Sequence, residues 1–139
     1  AVALLNDDWS VAADVWSITS ANELRRDGLA CQRWNMLHPE EAPKVPYITE
    51  QLQGAEGPFI AATDYMKLYT DQLRPYVPGR FNVLGTDGFG RSDSRAALRH
   101  FFEVDRYFIA ISALKALADK GEIRPAVVKK AIADFVGRT

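Results

Sequence analysis

The residues best suited to chemistry lie in one run, Leu84-Gly85-Thr86-Asp87-Gly88-Phe89-Gly90-Arg91-Ser92-Asp93-Ser94-Arg95. It starts at the end of an apolar stretch with strand character and leads into a helical pattern, where open α/β sheets present their ligand crevices. Glycines there let the backbone approach a ligand closely, a helix N-terminus offers free N–H groups to an anion, and Arg91, Arg95 and Arg99 add positive charge. Gly85, Asp87, Gly88, Gly90, Arg91, Ser92 and Arg95 are therefore the candidate residues, either of an anion site or of a purely structural turn. The glycine spacing is G-x-x-G-x-G, not the dinucleotide G-x-G-x-x-G, and no P-loop Gly-Lys-Ser/Thr follows, so a nucleotide reading is weak. The structural turn explains as much and is preferred. In that reading the glycines permit a tight reversal, and Ser92 or Asp93 caps a helix carrying Leu98, Phe101 and Phe102 inward.

Elsewhere the reactive residue types are sparse. His38 and His100 are the only histidines, and neither has a second histidine or a cysteine at metal-ligand spacing. Each reads as a helix-surface or interface residue. Cys31 falls inside a helical pattern with no marked basic neighbourhood beyond Arg33, and reads as a packed small hydrophobe. No G-x-S-x-G is present, which removes the serine-hydrolase reading. Residue chemistry alone thus assigns no catalytic, cofactor-binding or metal residue to this chain.

The elements that must position the glycine-rich run follow from periodicity. Ala13 to Ile18, Phe59 to Thr63 and Phe81 to Leu84 have strand character and are bounded by turn formers. Helices are expected at Asn22 to Arg26 and Ala30 to Leu37, separated by Gly28, then around Val45 to Leu52 and from Tyr65 to Leu73. Tyr107, Phe108, Ile111, Leu114, Leu117 and Ala118 recur at one-face helical spacing, with Gly121 as the stop and Pro125 opening a further helix. That last helix carries Val127, Val128, Ala131, Ile132, Phe135 and Val136 on one stripe. Short apolar runs alternating with amphipathic helices predict an α/β class with a largely parallel sheet. His38 to Pro46, with prolines at 39, 43 and 46, is expected to be a rigid extended loop.

With 139 residues, 47% of them hydrophobic, the chain can bury one core, and a single domain over 1–139 is expected. The 17 Lys and Arg against 18 Asp and Glu leave a charge of −1, which gives nucleic acid no electrostatic hold. The apolar runs fall well short of the roughly 18 residues of a membrane span, so a soluble chain is expected. A single cysteine suits a reducing compartment, and a cytoplasmic location is expected. Ala1-Val2-Ala3-Leu4-Leu5 reads as a helix already under way, which suggests a truncated chain.

Several segments, ordered and collinear, resemble one family. Asp14-Val15-Trp16-Ser17-Ile18-Thr19-Ser20, Glu23 to Gly28, Arg33-Trp34-Asn35-Met36-Leu37-His38-Pro39, Val45-Pro46-Tyr47-Ile48 and Ala62 to Lys67 carry the likeness. So do Leu84 to Arg95, Leu98-Arg99-His100 and Phe102-Glu103-Val104-Asp105. Together they are similar to the C-terminal domain of homodimeric pyruvate dehydrogenases; transketolase proper shares only the Phe89-Gly90-x-Ser92 core.

That resemblance implies a three-layer α/β/α domain with a mixed sheet in the order 1-3-2-4-5, strand 1 antiparallel. Ala1 to Asp8 resembles the end of the helix after strand 2, so strands 1 and 2 are expected to lie upstream and to be missing here. The resemblance implies a parent enzyme that uses thiamine diphosphate and Mg²⁺ to decarboxylate pyruvate and acetylates a lipoyl group of the dihydrolipoyl acetyltransferase component. A homodimer, and a cofactor held by other domains, are implied with it. This domain is then a scaffold and dimerisation element, inactive alone. The competing readings are an autonomous anion-binding or regulatory module built on residues 85–95 and a small stand-alone enzyme.

Overall fold

The computed structural model describes residues 1–136 and arranges them in the order α1 (Val2–Trp9), α2 (Ala21–Leu37), α3 (Tyr47–Leu52), β1 (Phe59–Ala62), α4 (Lys67–Asp71), a 3-10 turn (Arg74–Tyr76), β2 (Phe81–Leu84), α5 (Arg95–Phe101), α6 (Arg106–Asp119) and α7 (Pro125–Val136). β1 and β2 pair in parallel, Phe59 opposite Phe81 through Ala62 opposite Leu84. Phe59, Ala61, Phe81 and Val83, alternate residues of the two strands, face a core completed by Ala21, Ile48, Leu52, Leu73 and Tyr76. This is the period-2 pattern of strands under a helical layer. A second core gathers Leu5, Ala110, Leu114, Val128, Ala131 and Phe135 from α1, α6 and α7, and α6 carries it past β1. Helices packed about a parallel strand pair give the α/β class that the alternation of apolar runs predicts.

The end signals of α6 and α7 act as expected: Gly121 takes φ +83, which an L side chain resists, and Pro125 is the first residue of α7. Val128, Ala131 and Phe135 of the predicted stripe are buried, whereas Ile132 lies 43% exposed on its margin. The expected Val136 contact concerns a side chain outside the described residues.

Two expectations are corrected. Gly28 does not divide two helices, because α2 runs unbroken from Ala21 to Leu37. The glycine is buried, and a Cβ on it would stand 2.4 Å from Cζ of Tyr76, so its role is to let that ring lie directly on the helix backbone. A glycine in a helix interior costs about 1 kcal/mol against alanine, and the burial of Tyr76 offsets that cost.

Nor is Ala13 to Ile18 a strand. The segment belongs to no ladder among the described residues, and Val15, Trp16 and Ile18 are exposed. β-Forming residue types supply only a preference, whereas a ladder needs a second strand, and among the described residues β1 pairs with β2 alone.

The proline segment is the rigid loop expected. Asn35 Nδ2 donates to the Lys44 carbonyl at 3.0 Å, and the Lys44 amide donates to Asn35 Oδ1 at 2.7 Å. The Trp34 ring stacks on His38 at 4.3 Å and has Lys44 Nζ 4.5 Å from its centroid.

Candidate functional site

Because β1 and β2 are parallel, the chain leaves both strands at the same end of the sheet, and the two following loops meet there. They are laced together by backbone and short side chains. The Thr86 amide donates to the Tyr65 carbonyl at 2.9 Å, Thr86 Oγ1 donates to the Asp64 carbonyl at 2.6 Å, and the Lys67 amide donates to Asp87 Oδ1 at 2.9 Å. Gly85 is required by this closeness: a Cβ there would lie 2.8 Å from the Tyr65 carbonyl oxygen and 2.9 Å from the Lys67 nitrogen. Gly88 is required for another reason, its φ of +89.

Beyond the lacing opens a cavity of about 530 Å³ lined by Asp64, Thr86, Gly88, Gly90, Arg91, Asp93, Arg95, Arg99 and the apolar Leu98, Phe102 and Val104. Of the sequence candidates, Gly88, Gly90, Arg91 and Arg95 line it, while Gly85 and Asp87 hold the turn beneath it. Ser92 is exposed and lies outside the lining. The helix cap is neither Ser92 nor Asp93: Ser94 Oγ accepts from the Ala97 amide at 3.3 Å, being the residue directly before the first helical one. Phe101 does not turn inward with Leu98 and Phe102. It is 54% exposed and carries the Arg91 guanidinium 4.1 Å from its ring centroid.

Asp64 escapes a motif search because it belongs to the end of the other strand, yet its place just after an apolar run was a usable signal. Its carboxylate meets Arg99 at 3.3 Å, and this pair lines both the first cavity and a neighbouring one of about 720 Å³. The second cavity is lined in part by His100 and Asp105. There Asp105 Oδ2 stands 3.0 Å from His100 Nδ1, while Oδ1 accepts from the Tyr107 and Phe108 amides at 2.9 and 3.0 Å. One carboxylate therefore caps α6 and anchors the end of α5, a positioning role. The spacing of His100 and Asp105 across a helix end gave no recognisable motif.

Cys31 is buried in α2, and desolvation, reinforced by the Asp27 charge, pushes its thiol above the usual range. A thiol so placed is a poor nucleophile. Among the described residues no group of three His, Cys, Asp or Glu is arranged to hold a metal ion, and no helix is long and apolar enough to cross a membrane.

A family model described as the transketolase-like TK C-terminal domain matches residues 1–105. The pyruvate dehydrogenase E1 component of Pseudomonas aeruginosa is 60% identical over 136 residues, which are 97% of this chain and 15% of that protein. The protein of the same name from Escherichia coli K12 is 55% identical over 136 residues, again 97% of this chain and 15% of its own length. That of Mycobacterium tuberculosis is 48% identical over 127 residues, 91% of this chain and 14% of its own. The chain thus spans about 15% of the length of the curated relatives it matches. The paired parallel strands, their helical layers and a match running over most of the sequence lead to one conclusion: the chain belongs to the transketolase-like C-terminal domain family.

Proposed function

We propose that this chain is the C-terminal scaffold and dimerisation domain of a homodimeric pyruvate dehydrogenase. The observation that carries the proposal is the 60% identity sustained over 97% of the chain with a protein named pyruvate dehydrogenase E1 component. The parent enzyme decarboxylates pyruvate and acetylates the lipoyl group of the dihydrolipoyl acetyltransferase component, linking glycolysis to acetyl-CoA in the cytoplasm. Thiamine diphosphate, with Mg²⁺, supplies the carbanion chemistry when bound. We assign that group to other parts of the longer protein; among the described residues no three His, Cys, Asp or Glu are grouped to hold a metal ion, and no step of the reaction is derived through them. What this domain does is structural: its two cores hold the strand ends and their loops in a fixed relation.

The exposed apolar run at Val15, Trp16 and Ile18, together with β1 paired on one edge, fits a domain whose sheet is completed by a strand from the preceding part of a longer protein. The strand order implied by the resemblance places that strand between residues 13–18 and β1.

The test is calorimetric titration of residues 1–139 and of the full-length protein with thiamine diphosphate and Mg²⁺. The full-length protein is expected to bind and to acetylate a lipoyl domain in the presence of pyruvate, while residues 1–139 do neither. Saturable micromolar binding by residues 1–139 would overturn the assignment of the cofactor to other domains.

A second reading, an anion-binding module, is favoured by one observation, the three arginines around the first cavity.

A further inference from the structure

We infer that the cavity at the carboxyl ends of β1 and β2 binds a small phosphate-bearing ligand through Arg91 and Arg95, with Arg99 as a third donor in exchange with Asp64. The inference does not depend on the parent enzyme's activity. Its size, about 530 Å³, lies in the range of small-molecule sites. The apolar floor of Leu98, Phe102 and Val104 lies beside charged donors, the mixed lining that such sites use to orient a ligand.

The charge is available rather than spent. Neither Arg91 nor Arg95 has an ion-pair partner among the described residues. Arg91 holds its guanidinium carbon 4.1 Å from the Phe101 ring centroid, a cation–π contact that consumes none of its N–H donors. Arg95 and Arg99 are four residues apart on α5 and so share one side of that helix. Asp64 and Asp93 also line the cavity, but each is engaged, Asp64 with Arg99 at 3.3 Å and Asp93 Oδ1 with the Ser94 amide at 2.6 Å. Three guanidiniums against two carboxylates leave one positive charge in surplus.

Gly90 adds an independent observation. It has neither positive φ nor, among the described residues, a neighbour within 4 Å of the Cβ it lacks, so no backbone constraint calls for glycine, yet it forms part of the cavity wall. With no side chain at this point, the wall beside Arg91 stays low. Phosphate suits them better than a single carboxylate: its oxygens can engage two forks at once, whereas a planar monocarboxylate satisfies one.

The experiment uses the full-length protein, first saturated with thiamine diphosphate and Mg²⁺ so that the cofactor's own phosphate site is filled, then freed of excess. Inorganic phosphate, a sugar phosphate and acetate are titrated calorimetrically at constant ionic strength. Saturable binding of inorganic phosphate, weakened about tenfold or more in the Arg91→Met, Arg95→Met double variant, is the expected result. Asp64→Asn, which removes a competing carboxylate, should tighten it. Tighter binding of the sugar phosphate supports a phosphorylated metabolite as the ligand, and equal binding supports phosphate itself. The inference is overturned by the absence of saturable binding, by unchanged affinity in the double variant, or by acetate binding as tightly as phosphate. Lipoyl acetylation, measured alongside, separates the two readings. Its failure with phosphate binding intact sinks the enzymatic proposal alone, and the converse sinks this inference alone.

Discussion

Phe135 and Trp16 are both large aromatic residues in apolar surroundings of the sequence, yet Phe135 is 1% exposed and Trp16 56%. Phe135 meets Trp9 edge-on at 5.2 Å and Tyr107 at 5.0 Å, in a core built on the consecutive helices α6 and α7 and closed by the distant α1. Trp16 sits in an irregular segment whose backbone belongs to no ladder among the described residues. The difference teaches that apolar character secures burial only where the partner surface is within reach. α6 and α7 find theirs across one short turn, whereas a strand must find another strand of matching edge.

The sharpest way to break the comparison is at its buried end. Phe135→Ala removes the largest fully buried side chain and leaves a cavity against Trp9 and Tyr107. A loss of about 3–5 kcal/mol in the stability of residues 1–139, read from urea denaturation, is expected. A loss below about 1 kcal/mol would mean that this helical corner is no better packed than the exposed segment. An intermediate effect belongs to the turn at the strand ends. Gly88→Val forces a β-branched residue into φ +89, and should cost about 1 kcal/mol or more with little change in the denaturant slope. An unchanged melting temperature would remove the backbone reason for that glycine and leave it to ligand access. Smallest of all, Trp16→Ser should alter residues 1–139 by less than about 0.5 kcal/mol, as for an exposed site without partners. In the full-length protein the same substitution should lower the melting temperature measurably. No difference between the two backgrounds would argue against a covering strand.

What the sequence revealed follows the same division. The α6 to α7 corner could be read almost residue by residue, because periodicity, Gly121 and Pro125 act over a few positions. β1 and β2 could be read because their apolar runs are short and bounded by turns. Gly28 was misread because a helix breaker is a local signal, while its reason for being there, the Tyr76 ring, comes from a distant turn. At the site, Gly88, Gly90, Arg91 and Arg95 were visible in one run, whereas Asp64 arrives from the other strand end. The pairing of Asp105 with His100 depends on how α5 stops, which no spacing rule encodes.

The two hydrogen bonds between Asn35 and the backbone of Lys44 have a kinetic consequence. They close a ring of about ten residues whose prolines already narrow the unfolded ensemble, so little chain entropy remains to be lost when the ring forms. The corner from α2 to α3 can therefore assemble on contacts close in sequence, before the more distant registration of β1 on β2. Tyr47, whose amide donates to Asp27 at 2.7 Å, then joins the start of α3 to that corner. The strand pair would then condense against a surface already in place, and the order in which the chain commits its parts would run from the loop inward to the sheet.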